Sequence, residues 1–186
     1  MEFKAYNTAI ARTRPSRPLT NIMKYLSENS KVLDYGCGRG SDADFLIKNK
    51  ISCTKYDPFF YPKEIIGKFD VVLLTYVLNV IKKDSREIAL RLALKHVKDN
   101  GYLSVTVRNK KELDTAQKNK KWQAYEDGWI TNKQRGTFQK GFTVDELEEL
   151  ILKLEDIEEI DFYEKNNFLQ VFIKKNIRSN RSNENT

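Results

Sequence analysis

The chain alternates short, nearly unbroken apolar runs with segments of helical spacing. Lys31 to Tyr35 reads as a buried strand, Gly36 to Gly40 as a tight loop, and Ser41 to Lys48 as a helix with Phe45, Leu46 and Ile47 available for packing. A second strand is expected at Ile51 to Tyr56, ending in Asp57-Pro58, and a third at Phe69 to Leu74. The continuous apolar character of the third suits a strand covered on both faces, as in a parallel sheet. Asp84 to Val97 has helical spacing through Ile88, Leu92 and Val97, and Asn100-Gly101 stops it before a strand at Tyr102 to Val107. Ahead of these, Ser16 can cap a helix with Pro18 in its first turn and Leu19, Ile22, Met23 and Leu26 as apolar positions. Near the other end, Thr143 with Glu146 three residues later predicts a capped helix. Ile157 to Tyr163 and Phe168 to Ile173 alternate and are joined by Glu164-Lys165-Asn166-Asn167, a hairpin signal.

This order implies an α/β fold: a Rossmann-like open, mostly parallel sheet with helices on both faces and a C-terminal antiparallel hairpin. At 186 residues one domain is expected. It spans residues 1–175, with an N-terminal arm and helix at 1–30, a polar insertion or lid at 108–142 and a disordered tail at 176–186. No apolar run approaches the ~20 residues that cross a bilayer, and no secretory signal opens the chain, so a cytoplasmic protein without a membrane partner is expected. Two cysteines, Cys37 and Cys53, make no disulfide framework, and the single histidine, His96, argues against a zinc site, so no metal is expected. His96 falls near a helix C-terminus, where an exposed imidazole favoured by the helix dipole is the simplest reading.

The formal charge of +7 is unevenly distributed. Arg108 to Gly141 holds nine Lys/Arg against four Asp/Glu, whereas Thr143 to Lys165 holds two against ten. A basic side is compatible with a polyanionic partner.

The strongest chemical signal is Val32-Leu33-Asp34-Tyr35-Gly36-Cys37-Gly38-Arg39-Gly40, a strand running into alternate glycines and then a helix. Such a loop can turn sharply and present N–H groups, and the helix start adds a positive dipole end. The pattern departs from the dinucleotide fingerprint in the place of its third glycine and in Asp34, an acid that would repel a pyrophosphate but suit a cationic amine. Asp57, at the next strand tip, stands where a carboxylate meets ribose hydroxyls. The alternatives are a dinucleotide site and a glycine turn with no ligand.

At these residues the chain resembles the class I S-adenosylmethionine-dependent methyltransferases, over roughly Lys31 to Val107. The resemblance implies S-adenosylmethionine as cofactor, with Gly36, Cys37, Gly38 and Gly40 lining its methionine part, Asp34 holding its amine through the loop, Asp57 on the ribose, and Pro58 and Phe59 flanking the adenine. Phe59, Phe60 and Tyr61 read equally well as partly core. The space from Asp57 to Phe69 is too short for the family's usual third strand and its adenine-recognising acid. A narrower resemblance, to the methyltransferases associated with bacterial DNA phosphorothioation systems, rests on Thr8-Ala9-Ile10, Ser16-Arg17-Pro18, the glycine loop, Tyr76-Val77-Leu78-Asn79-Val80-Ile81 and Arg135-Gly136-Thr137-Phe138-Gln139-Lys140. It implies a nucleic-acid partner, DNA first.

Methyl transfer is an in-line displacement that chiefly demands alignment. Thr75, Tyr76 and Asn79, around the tip of the third strand, are the candidates for orienting the acceptor; Tyr76 reads equally as a packed aromatic. The D/N/S-P-P-Y/F/W motif of amino-methylating DNA enzymes and the Pro-Cys nucleophile of cytosine-C5 enzymes are both absent. Arg12, Arg17, Trp122, Arg135, Phe138 and Lys140 form a candidate phosphate track with stacking platforms, or else belong to a solvated lid with its own small core. A small-molecule methyltransferase with a lid, and a non-catalytic accessory subunit contacting a protein partner, are the rival readings.

Overall fold

The computed structural model describes residues 2–177. The expected tail at 176–186 therefore falls almost wholly outside the described residues. The body is one six-stranded sheet built from β1 (Lys31–Tyr35), β2 (Ser52–Tyr56), β3 (Phe69–Thr75), β4 (Val97–Arg108), β8 (Ile157–Lys165) and β9 (Phe168–Lys175), in the order β2-β1-β3-β4-β9-β8. The first four run parallel, and β9 and β8 close the far edge antiparallel. The chain leaves β1 toward β2 on one side and returns to β3 on the other. That reversal opens a crevice beyond the carboxyl ends of β1 and β3, where ligands of open α/β sheets bind.

Strand alternation sorts the apolar residues onto two faces. Val32, Val71, Leu73 and Phe172 pack under α1 (Arg17–Ile22) and α2 (Ser41–Lys48), together with Leu19, Ile22 and Leu46. Leu33, Val72, Leu74, Leu103, Val105 and Val171 pack under α3 (Lys83–Lys95) and α5 (Val144–Ile151). Buried Gln170 ties the first face together, accepting from Asn21 Nδ2 at 2.8 Å and donating to Pro18 O and Ser104 Oγ.

Several local expectations change in detail. Ile88 and Leu92 are exposed; the buried stripe of α3 is Leu90, Ala93 and Leu94, because i, i+3, i+4 spacing from Leu90 is what meets the sheet. Ser16 occupies the N-cap position of α1, yet its hydroxyl donates to Asp42 instead of capping. The helix gives way to a 3-10 turn at Met23–Tyr25. His96 is half-buried, and burial lowers its pKa, against the exposed imidazole expected at a helix end. The capping box of α5 forms as expected, with Glu146 N donating to Thr143 Oγ1 and Thr143 N donating to Glu146 Oε2. The hairpin turn narrows to Asn166-Asn167, since Lys165 already pairs with Phe168.

The stretch at 108–142 is ordered. It contains α4 (Lys110–Lys120) and a three-stranded antiparallel sheet of β5 (Gln123–Tyr125), β6 (Gly128–Asn132) and β7 (Thr137–Gln139). Arg86 of α3 fastens this small sheet by a two-point ion pair with Asp127. The N-terminal arm lies along it: Lys4 N donates to Gly136 O, Asn7 Nδ2 to Arg135 O, and Phe3 packs on Tyr125 and Phe138. Among the described residues no helix is long and apolar enough to cross a membrane.

Candidate active site

Three parallel strands end side by side at Tyr35, Tyr56 and Thr75, and the glycine loop leaves the first of them. Gly36 has φ +78°, and a Cβ there would lie 2.4 Å from Val77 Cγ2, so the segment after β3 presses directly on the loop backbone. Gly38 has φ +53° and a Cβ there would come within 3.1 Å of Ala9 Cβ on the arm. The loop therefore needs glycine for both conformation and close approach. Its amides are used differently from the expectation that they face a ligand. Gly36 N and Cys37 N donate to Tyr56 O, Gly38 N to Asp57 Oδ2 and Gly40 N to Cys37 O. Asp57 Oδ1 also accepts from Phe59 N and Phe60 N, so one carboxylate ties the loop to the turn after β2. A carboxylate offers about four acceptor sites, which leaves Asp57 capacity for a hydroxyl in the cavity it lines.

The cavity has a volume of about 600 Å³ and lies between this loop, the segment after β3 and the arm, which contributes Ala5, Tyr6, Thr8, Ala9, Ile10 and Arg12. Asp34 sits at its floor, 3 % exposed, and its carboxyl pKa is pushed up to about 8, first by burial and then by the neighbouring Asp42, against the pull of the Ala43 backbone and Arg12. An acid held protonated by its surroundings is primed to ionise when a cation arrives. Asp42 is itself the arm's anchor, accepting from Ser16 N at 2.7 Å and from Ser16 Oγ at 2.6 Å. Arg12 reaches within 4.0 Å of the same carboxylate, and its backbone N donates to Ser41 Oγ at the start of α2.

Thr75 and Tyr76 line the cavity where β3 ends. Tyr76 has φ +61°, a conformation that costs a bulky side chain energy and that concentrates at functional sites. Its N donates to Thr106 O, and burial raises the phenol pKa, opposed by Arg12 and Arg108. Arg108 is held by Glu112 and Gln139 at the same wall. Asn79 lies outside the cavity. It is 1 % exposed, its Nδ2 donates to Lys140 O and its Oδ1 accepts from Arg108 N, so it is a clip between two backbone segments instead of an acceptor-orienting group.

A family model described as a methyltransferase domain matches residues 8–152. The chain belongs to this methyltransferase family. A search of curated proteins finds no matching relative. Among solved structures, a S-adenosylmethionine-dependent methyltransferase from Methanosarcina mazei is similar in fold, with a TM-score of 0.64 at 17 % identity over 88 % of this chain and 100 % of that one. The 1,6-didemethyltoxoflavin-N1-methyltransferase of Burkholderia thailandensis, solved with 1,6-didemethyltoxoflavin and S-adenosylhomocysteine, gives 0.61 at 18 % over 87 % and 78 %. A chain of the Pnkp1/Rnl/Hen1 RNA repair complex gives 0.56 at 12 % over 85 % and 40 %.

The methyltransferase brings together at one cavity Asp34, Gly36, Cys37, Gly38, Asp57, Pro58, Phe59, Thr75, Tyr76 and, from the arm, Arg12. Gly40 stands behind, as the residue preceding α2, packed against Lys55. Of the residues nominated for a phosphate track, only Arg12 reaches the cavity. Phe138 is buried against Phe3, Lys140 is buried in an ion pair with Glu146, and the Arg135 guanidinium donates to Asn7 O. Arg17 is exposed on α1, and Trp122 packs under the Lys120 ammonium. Sequence reasoning missed Tyr6, Arg108, Glu112 and Gln139 as lining residues. The signal for Tyr6 was the proximity of an aromatic to Thr8-Ala9-Ile10, and that for Arg108 its place at the carboxyl end of β4; Glu112 and Gln139 carry none, because only the packing of α4 and β7 brings them to the wall.

Proposed function

We propose that this methyltransferase takes S-adenosylmethionine as methyl donor and a small acceptor held under its N-terminal arm. The donor supplies an electrophilic methyl on sulfur; the acceptor's lone pair forms the new bond as the carbon–sulfur bond breaks and its electron pair stays on sulfur. The residues fit that donor. Asp34, ionising on contact, pairs with the amine; Arg12, one of three arginines lining the cavity, meets the carboxylate; Asp57 keeps acceptor capacity for a ribose. Thr75 and Tyr76 then face the acceptor, and the arm excludes water, which would weaken these pairings and compete for the methyl group.

The observation that carries the small-acceptor reading is the roof itself: the arm spans the cavity and is tied down at Gly136, Arg135 and Asp42. The Burkholderia thailandensis structure, with 1,6-didemethyltoxoflavin bound, supports it. A nucleic-acid acceptor, DNA first, is the second reading, favoured by the exposed Lys110, Lys111, Lys118, Lys120 and Lys121 on and beside α4 and by the fold likeness to a chain of an RNA repair complex.

The test is to incubate the protein with methyl-labelled S-adenosylmethionine and, separately, total DNA, total RNA and a small-molecule extract. Label confined to the extract is the expected result. Label in DNA or RNA, weakening steeply with salt, would establish the second reading instead. Donor binding without transfer to any pool would point to an accessory subunit.

A further inference from the structure

At the Asp57 end of the cavity two aromatic rings from distant parts of the chain lie face to face. Tyr6 of the arm and Phe59 have ring centroids 3.9 Å apart and planes within 5°. Both line the cavity, and Phe59 remains 56 % exposed. At this separation the two rings are in contact and no space lies between them, so a third flat π-system is sandwiched here only if the pair parts. Phe59 is fixed from below, because its backbone N donates to Asp57 Oδ1 at 2.9 Å. Tyr6 is carried on a four-residue 3-10 turn, Ala5–Thr8, which is hydrogen-bonded to the small sheet at Lys4, just before the turn, and at Asn7, within it.

We propose that Tyr6 is the arm's contact to the adenine of the cofactor: the base enters on the face of Phe59, and Tyr6 moves out by about one ring thickness to cover its other side. This rests on the S-adenosylmethionine reading above. Phe59 follows by two residues the carboxylate assigned to the ribose, so one turn carries both groups. It also supplies by stacking what the short Asp57 to Phe69 connection does not supply by a further strand, since this segment contains only an isolated bridge between Asp57 and Tyr61. Recognition by ring faces makes cofactor binding and arm closure one event, because the stack cannot re-form around the base unless the arm is down. The Tyr6 hydroxyl has no part in this; the ring does.

Binding of S-adenosylhomocysteine, adenosine and methionine to wild type, Tyr6→Ala and Tyr6→Phe, by calorimetry or NMR titration, tests it. Tyr6→Ala is expected to weaken S-adenosylhomocysteine and adenosine by the same factor, about 5- to 150-fold, and to leave methionine unchanged. Tyr6→Phe should bind all three as wild type does. Unchanged adenosine affinity in Tyr6→Ala would overturn the assignment, as would an equal loss for methionine or a loss in Tyr6→Phe. Wild type that binds none of the three would overturn the cofactor reading itself, an outcome separate from the others.

Discussion

Asp57 accepts the backbone N–H of Gly38 at 3.0 Å, so the tip of the second strand holds the glycine loop of the first. The same carboxylate thus shapes the loop and lines the cavity. Asp57→Ala should lower stability by about 1–3 kcal/mol through three unpaired amides and abolish measurable S-adenosylhomocysteine binding. Asp57→Asn keeps one carbonyl acceptor and should fold nearly as well while still binding poorly. Thermal unfolding and calorimetry on both variants separate the two effects; normal affinity in Asp57→Asn would remove the ribose role.

Asp34 gives a pH signature. Its folded pKa, about 8, exceeds the unfolded value of 3.8, so the folded apoprotein binds the proton more tightly. Stability contributed by this group is full below about 4 and is lost as pH rises through about 8. Asp34→Asn should flatten that decline in a denaturation series from pH 5 to 9. With Asp34 pairing to the cofactor's amine as proposed, cofactor binding should release a proton near pH 7, seen as a dependence of calorimetric enthalpy on buffer ionisation, and Asp34→Asn should lose it.

Gly36→Ala combines a positive φ with a Cβ placed 2.4 Å from Val77 Cγ2. The expected cost is about 2–4 kcal/mol. Adding Val77→Ala should recover the steric part and leave the backbone part, so the double variant should melt between wild type and Gly36→Ala. A double variant no more stable than the single one would show that Val77 is not the obstacle.

Tyr76 is half-buried on the cavity wall with φ +61°. Tyr76→Phe should leave stability and cofactor affinity unchanged and lower kcat by about 10- to 100-fold through loss of acceptor alignment. Single-turnover rates with saturating cofactor provide the measurement, and an unaltered rate would return Tyr76 to a packing role.

Alternation along each strand already separates Val32 from Leu33 and Val71 from Val72, and these pairs do end on opposite faces of the sheet. The glycine spacing at 36, 38 and 40, with acids at 34 and 57, likewise marks the end of the sheet where the cavity lies. Both are legible because strand period and backbone freedom are local properties, expressed within a few residues of the positions that carry them.

The roof over the cavity is a different matter. Phe138, Lys140 and Arg135 look like an exposed basic and aromatic track until β5, β6 and β7 pair with one another and the arm lies across them, which buries the first two and occupies the third. Asn79 looks available until Lys140 and Arg108 close on its amide. Tyr6 and Phe59 become neighbours only when the arm descends onto the turn after β2. Each of these outcomes is set by long-range packing between short polar segments that bury little surface alone. Nothing in their local sequence distinguishes a side chain waiting for a ligand from one waiting for another part of the same chain.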